Sequence, residues 1–296
     1  MMKPLATQTS ALLRALGSLL AQTKIRSVIC GADALGLDHH GLAELSQKLN
    51  IRNLIIVTHD RRVGELLKSS GQRAITIPDV ELTRRGEARA ALAIALLNGW
   101  VKQSERVVCI SGPPHSRLLD TLFVVKPTQE LQIVHAPSLK VFSKRMMPEV
   151  FETLIRIALE IAHEGREGRP VGTMFVLGDT ANVLKYAHPM VLNPFKGYAD
   201  SKKNILDPKL KETIREFAAL DGAFVIRRNG VILAAGCHIA APHSPKELPP
   251  GLGARHRAAA AITAVTNSIA ITISQSDGTV RAFRKGEIFL ELGKTS

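Results

Sequence analysis

The sequence predicts an α/β fold in two domains, and three observations predict it. Short apolar runs of strand length alternate with helical patterns from residue 26 to residue 125, the signature of strands buried on both faces and joined by helices. The apolar content is mostly Ala, Val, Ile and Leu, with only 4% aromatics, which suits flat sheet faces packed under helices. The alternation lapses once, from Ile133 to Met147, into Ala136-Pro137-Ser138 followed by Lys140, Lys144 and Arg145. That stretch reads as a linker between a domain over 1–138 and a second over 146–296, each long enough to bury its own core.

Within the first domain, residues 1–25 predict an amphipathic helix on Leu12, Leu13, Leu16, Leu19 and Leu20. Strands follow at Arg26–Cys30, Asn53–Val57, Ala74–Ile77, Arg106–Ser111 and Thr121–Val125, and helices at Leu42–Leu49, Gly64–Ser69 and Arg84–Gly99. Together they imply a doubly wound, mainly parallel sheet. The segment Gly31 to Gly36 follows the first strand but lacks both the dinucleotide glycine pattern and a Gly-Lys-Ser/Thr ending, so it reads as a β–α turn. Ser111-Gly112-Pro113-Pro114-His115-Ser116 reads as a rigid loop, with an anion-holding turn as the alternative.

The second domain opens on a helix whose apolar positions Phe151, Leu154, Ile155, Ala158, Ile161 and Ala162 form one continuous face. A strand at Thr173–Leu177 is followed by Gly178-Asp179-Thr180, which turns the chain and caps a short helix, Ala181–Tyr186. Asn193-Pro194-Phe195-Lys196-Gly197 is a loop. Asp207-Pro208 starts a helix, with the aspartate as its cap and proline in the first helical position. That helix runs into Asp221-Gly222-Ala223, where a strand begins. Asn229-Gly230 turns the strand back on itself, and the return, Val231–Cys237, ends in His238-Ile239.

Charge narrows the function. The chain carries 39 basic and 26 acidic residues, a net +13, but 18 basic residues fall in 1–140 and 21 in 141–296. So even a spread points to phosphorylated ligands or a diffusely basic surface rather than a nucleic-acid arm; no helix-turn-helix or basic-aromatic stripe accompanies it. Cys30, Cys109 and Cys237 are sparse, odd in number and placed in or at the ends of strands, as small buried hydrophobes of a reducing compartment. No signal peptide is legible and no apolar run reaches membrane-spanning length, so a cytoplasmic protein is expected.

The chemistry concentrates between Asp221 and Arg257. Gly253 precedes an alanine-rich helix whose first turn holds Arg255, His256 and Arg257. Free N–H groups at a helix start favour an anion, and two guanidinium forks add donors matched to phosphate oxygens. An acid beside a glycine, Asp221-Gly222, together with two arginines and a histidine at a helix start, is what phosphate chemistry asks for. Each motif alone also fits a solvated helix start or a simple turn; the pair in this strand and helix context is more specific.

Asp221-Gly222-Ala223 and Arg255-His256-Arg257 together resemble the signatures of the diadenylate cyclases, which make cyclic di-AMP from two ATP. The small residues Ala234-Ala235-Gly236-Cys237 and the loops around Asn193-Pro194-Phe195-Lys196-Gly197 and Asn204-Ile205-Leu206-Asp207-Pro208 are similar to the archaeal-type branch. There a domain like the C-terminal domain of pyruvate kinase comes first. Here Arg89–Leu97, Val101, Arg106–Gly112 and Leu119–Val125 carry that second resemblance, which implies a sensing or assembly role. Two departures stand out: Ala254 where the family often has Thr, and Ser274-Gln275-Ser276 where many members have Ser-Glu-Glu.

The resemblance implies a mixed central sheet in the second domain and Mn²⁺ or Mg²⁺ held by Asp221, which would help activate a ribose 3′-hydroxyl. It implies that Arg255, His256 and Arg257 take the phosphates, with Gly253 at their helix start and Ser274 also at the ATP. Gly222 and Ala223 would lie against ribose or base, and His238 and Ile239 would sandwich the adenine. It further implies a homodimer, at least, with two cyclase domains face to face. The alternative is a non-catalytic adenine-nucleotide sensor.

Overall fold

The computed structural model describes residues 6–36, 39–80, 82–113, 116, 118–131, 147–242 and 248–293. The chain falls into two compact units, Met1–Leu139 and Lys140–Ser296. The expected linker lies, up to residue 146, outside the described residues, as do Pro114 and His115 of the proline-rich turn.

In the first unit the elements run α1 (Thr7–Gln22), β1 (Ser27–Gly31), α2 (His39–Lys48), β2 (Asn53–Thr58), α3 (Arg61–Ser69), β3 (Arg73–Thr76), α4 (Arg84–Leu97), β4 (Val107–Ser111), β5 (Thr121–Val125) and the single turn α5 (Pro127–Glu130). The sheet order is β3-β2-β1-β4-β5. The chain therefore winds outward from β1 through β2 to β3, then crosses back to lay β4 on the other side of β1, the doubly wound arrangement predicted. All pairs are parallel except β4 with β5, which are close enough in sequence to pair antiparallel. Every residue of β1 and β4 is buried, as central strands of such a sheet must be. Asp33 fixes the turn after β1, accepting from Thr58 Oγ1 at 2.7 Å and from the His59 N–H at 2.6 Å. The three cysteines are free and buried; burial pushes the Cys30 and Cys109 thiols up to about 12.

The second unit runs α6 (Pro148–Glu164), β6 (Met174–Leu177), α7 (Thr180–Val183), β7 (Ala187–Pro189), α8 (Lys211–Ala218), β8 (Ala223–Ile226), β9 (Ile232–Ile239), α9 (Ala254–Val265), β10 (Ile269–Ile273), β11 (Val280–Arg284) and β12 (Glu287–Leu292). Its sheet is mixed, in the order β12-β11-β10-β6-β8-β9-β7, with β6 and β8 the parallel pair. Strand alternation sorts the core. Met174, Val176, Ala223, Val225, Ala270 and Phe283 pack with Ala259, Ala260 and Ile262 of α9. Phe175 and Phe224, 5.0 Å apart between centroids, belong to a second aromatic group with Phe195 and Phe217. No helix among the described residues is long and apolar enough to cross a membrane.

Two local expectations change. The short helix predicted to Tyr186 is one turn, ending at Val183, because the Tyr186 carbonyl is drawn to the sheet edge, where it accepts from the Ala240 N–H at 2.9 Å. Asp179 makes no side-chain cap on that turn. Its carboxylate instead accepts from Asn182 Nδ2 at 2.9 Å and from the Asn267 N–H at 2.8 Å, tying the turn to the entry of β10. Asp207 does cap as expected, accepting from the Lys209 N–H at 3.0 Å, and a 3₁₀ turn at Pro208–Leu210 leads into α8.

Candidate active site

Two separate pieces of chain form the site, and the sheet brings them together. Asp221 lies in the turn between α8 and β8. The next residue, Gly222, adopts φ +108°, a region open to glycine and closed to most side chains. A β-carbon on Gly222 would sit 2.8 Å from the backbone nitrogen of Cys237 and 2.8 Å from the carbonyl carbon of Gly236. The glycine thus lets the entry to β8 lie directly on β9, where the ladder shifts register between Ala223 and Val225.

Helix α9 supplies the other piece. Gly253, its N-cap, is extended and offers no side-chain acceptor to the first turn, so the helix start presents N–H groups and positive dipole to an anion. From that turn Arg255 Nη2 reaches Asp221 Oδ1 at 2.8 Å, and the same carboxylate oxygen accepts from the Gly222 N–H at 3.0 Å. The Asp221 side chain remains 71% exposed, so one face of the carboxylate is open to a ligand. Arg257 is exposed and donates from Nη1 to the Leu252 carbonyl at 2.8 Å, leaving the rest of its fork for another acceptor.

The remaining predicted residues divide. His256 is buried, at 6% exposure, with Nε2 at 3.4 Å from Arg281 Nη1 and its ring 6.1 Å from that of Phe283. Burial, and then the Arg281 cation, pull its pKa down to about 4, so it is a neutral imidazole at physiological pH. His238 is exposed and stands opposite His188 in the β7–β9 pair, whereas Ile239 and Ala223 are in the core with α9. Neighbouring strand residues face opposite sides of a sheet, so His238 and Ile239 stand on opposite faces of β9. Ser274 is buried at the end of β10, its hydroxyl 3.1 Å from that of Ser276.

Three further residues belong to this region, and two of them, Gly172 and Arg281, sequence reasoning passed over. A β-carbon on Gly172 would stand 3.1 Å from Arg255 Nη1 and 2.9 Å from the Gln275 Cβ. The bare backbone at Gly172 is therefore the groove in which Arg255 lies, and it puts Gln275 beside that arginine. Arg281 is the third. Its signal was a charged residue inside the apolar alternation Val280–Phe283, readable only once β11 and β12 are assigned.

Among the described residues no cluster of three or more His, Cys, Asp or Glu can hold a metal. The site offers one exposed carboxylate. That donor set fits a hard divalent ion that arrives with phosphate oxygens and water as its other ligands, as Mg²⁺ does, and not a resident ion caged by protein.

The family model described as DisA bacterial checkpoint controller nucleotide-binding matches residues 160–288. A diadenylate cyclase of Methanocaldococcus jannaschii is 34% identical over 260 residues, covering 86% of this chain and 83% of that protein. A diadenylate cyclase of Haloferax volcanii is 39% identical over 150 residues, 51% of this chain and 55% of that one. Cyclic di-AMP synthase CdaA of Bacillus subtilis is 42% identical over 72 residues, 24% of this chain and 26% of that protein.

Proposed function

From a chain that belongs to the diadenylate cyclase family, and so is a nucleotidyltransferase that makes cyclic di-AMP, we propose the following reaction. The ribose 3′-hydroxyl of one ATP attacks the α-phosphate of a second, pyrophosphate leaves, and the equivalent step by the second 3′-hydroxyl closes the ring with loss of a second pyrophosphate. Each cyclase unit holds one ATP, so two copies face each other about a two-fold axis.

The 2.8 Å contact between Arg255 and Asp221, joining residues 34 apart in sequence, carries this reading. It places a carboxylate and a guanidinium within the span of one triphosphate. In the free protein Arg255 partly neutralises Asp221; on binding, phosphate oxygens would draw Arg255 away and leave the carboxylate facing the 3′-hydroxyl, whose proton it accepts. Arg257 takes phosphate charge at the helix start, and His256 offers a neutral N–H beneath it. A divalent ion brought with the nucleotide, Mn²⁺ or Mg²⁺, would be held by Asp221 and would neutralise charge on the phosphates. Ala254 and Gln275 stand where the family pattern that the sequence resembles often has a hydroxyl and a carboxylate, so positioning and the two arginines would bear more of the task here.

Incubating the chain with ATP and Mn²⁺ or Mg²⁺ and weighing the products tests the proposal. Cyclic di-AMP with two equivalents of pyrophosphate is expected. Bound but unconverted ATP would sustain only a nucleotide sensor.

A further inference from the structure

We propose that Arg281 is a positioning residue for His256: from β11 its guanidinium donates to the imidazole Nε2 and fixes one tautomer and one orientation beneath the start of α9. The inference rests on the reading of His256 as part of the ATP site. Arg281 is covered, with its side chain 12% exposed, and is anchored from the other side by Glu291, to whose Oε2 its Nε donates at 2.7 Å. Register makes this anchorage a property of the sheet, because Arg281 and Glu291 are direct partners across β11 and β12. One edge of the planar fork is thus clamped to a carboxylate while Nη1 faces His256 Nε2 at 3.4 Å. Phe283, two residues along the same strand, supplies the ring against which the imidazole lies.

An arginine has donors and no acceptor. The nitrogen facing it must therefore offer its lone pair, and the single imidazole proton is confined to Nδ1. The surroundings agree. After burial, the charged groups facing His256 are Arg281 from β11 and Arg255 from its own helix, which disfavour the imidazolium, and Asp277 from the β10–β11 turn and Glu291 from β12, which favour it. The cations and burial win, holding the pKa at about 4. For a site that must release pyrophosphate, the consequence is useful. A neutral donor of fixed direction sits between two arginines without adding a third full charge. Without Arg281 the ring can turn over and can take a proton as pH falls.

The test compares wild type, Arg281→Met, Arg281→Lys and His256→Gln for cyclic di-AMP formation between pH 5 and 9, with folding checked by circular dichroism. The wild-type profile should show no imidazole limb above pH 5. In Arg281→Met the acid limb should move up, with the ratio of activity at pH 5.5 to that at pH 8 falling about threefold or more below wild type; Arg281→Lys should recover part of it. A profile for Arg281→Met of unchanged shape, whatever its height, overturns the proposal. Should that variant not fold, ¹⁵N spectra of the wild-type histidines decide: a His256 with unprotonated Nε2 that does not titrate above pH 5 supports it, and an Nε2–H form or a titration near pH 6.5 overturns it. His256→Gln separates the two levels. Full turnover in that variant removes His256 from the ATP site, whereas loss of turnover beside an unchanged Arg281→Met profile overturns the role of Arg281 alone.

Discussion

Asp221→Asn is expected to lower cyclic di-AMP formation about 10³-fold or more while leaving fold and ATP binding in place. The side chain is 71% exposed and its ion pair with Arg255 is solvent-facing, a kind of contact worth only about 0–1 kcal/mol to stability. Asparagine keeps the oxygen that accepts from the Gly222 N–H and from Arg255, so the turn keeps its shape. In the proposed mechanism the substitution removes the negative charge that would hold a divalent ion and the base that would accept the 3′-hydroxyl proton, each worth orders of magnitude in rate. ATP affinity should hold or rise slightly, since a carboxylate beside a triphosphate repels it. Turnover by product mass and affinity by calorimetry, measured on the same preparation, read both halves. Turnover within a few-fold of wild type removes Asp221 from the chemistry.

Gly222→Ala is expected to disable the same site by a different route, through the backbone. At φ +108° a β-carbon is strained, and here it also meets Cys237 N at 2.8 Å and Cys237 O at 3.0 Å. Those are main-chain atoms of the neighbouring strand, which cannot swing aside as a side-chain tip would. The conformation costs about 1–3 kcal/mol and the forced separation of β8 from β9 about as much again. A melting temperature lowered by roughly 5–15 °C follows for a unit of this size. The shift that relieves the clash moves Asp221, one residue away, relative to Arg255. Because misplacement of about 1 Å can cost 10²-fold, activity should be lost even below the melting temperature. A variant with wild-type melting and turnover would show that β8 and β9 do not meet at Gly222 as described.

Much of this was legible in the chain because local patterns agreed with their surroundings. The strands of the first unit are continuous apolar runs, and Val28–Cys30 and Val107–Ile110 need no tertiary knowledge to be read as buried. Asp207-Pro208 announces its helix start, and Asn229-Gly230 its hairpin, for reasons internal to the tetrapeptide. The two ends of the site were marked by residue chemistry, a lone acid at a glycine and two arginines flanking a histidine at a helix start.

What escaped was decided by partners distant in sequence. The helix after Asp179 stops early because Ala240 claims the Tyr186 carbonyl. That His238 is exposed while Ile239 is buried follows from the β7–β9 pairing and the packing of α9, which the dipeptide does not announce. Nothing in Arg-His-Arg announces that His256 is buried, yet helical rotation carries it inward against Arg281 and Phe283. Gly172 has no signal of its own; it matters because Arg255 lies against its bare backbone.

The most direct measurement is a crystal of the chain with Mn²⁺ and an ATP analogue that resists attack, with the metal located by its anomalous scattering. The account predicts one Mn²⁺ at coordination distance from an Asp221 carboxylate oxygen, sharing phosphate oxygens of a nucleotide whose triphosphate lies at the start of α9 by Arg257. A nucleotide bound elsewhere, or a metal that leaves Asp221 paired only with Arg255, would contradict it.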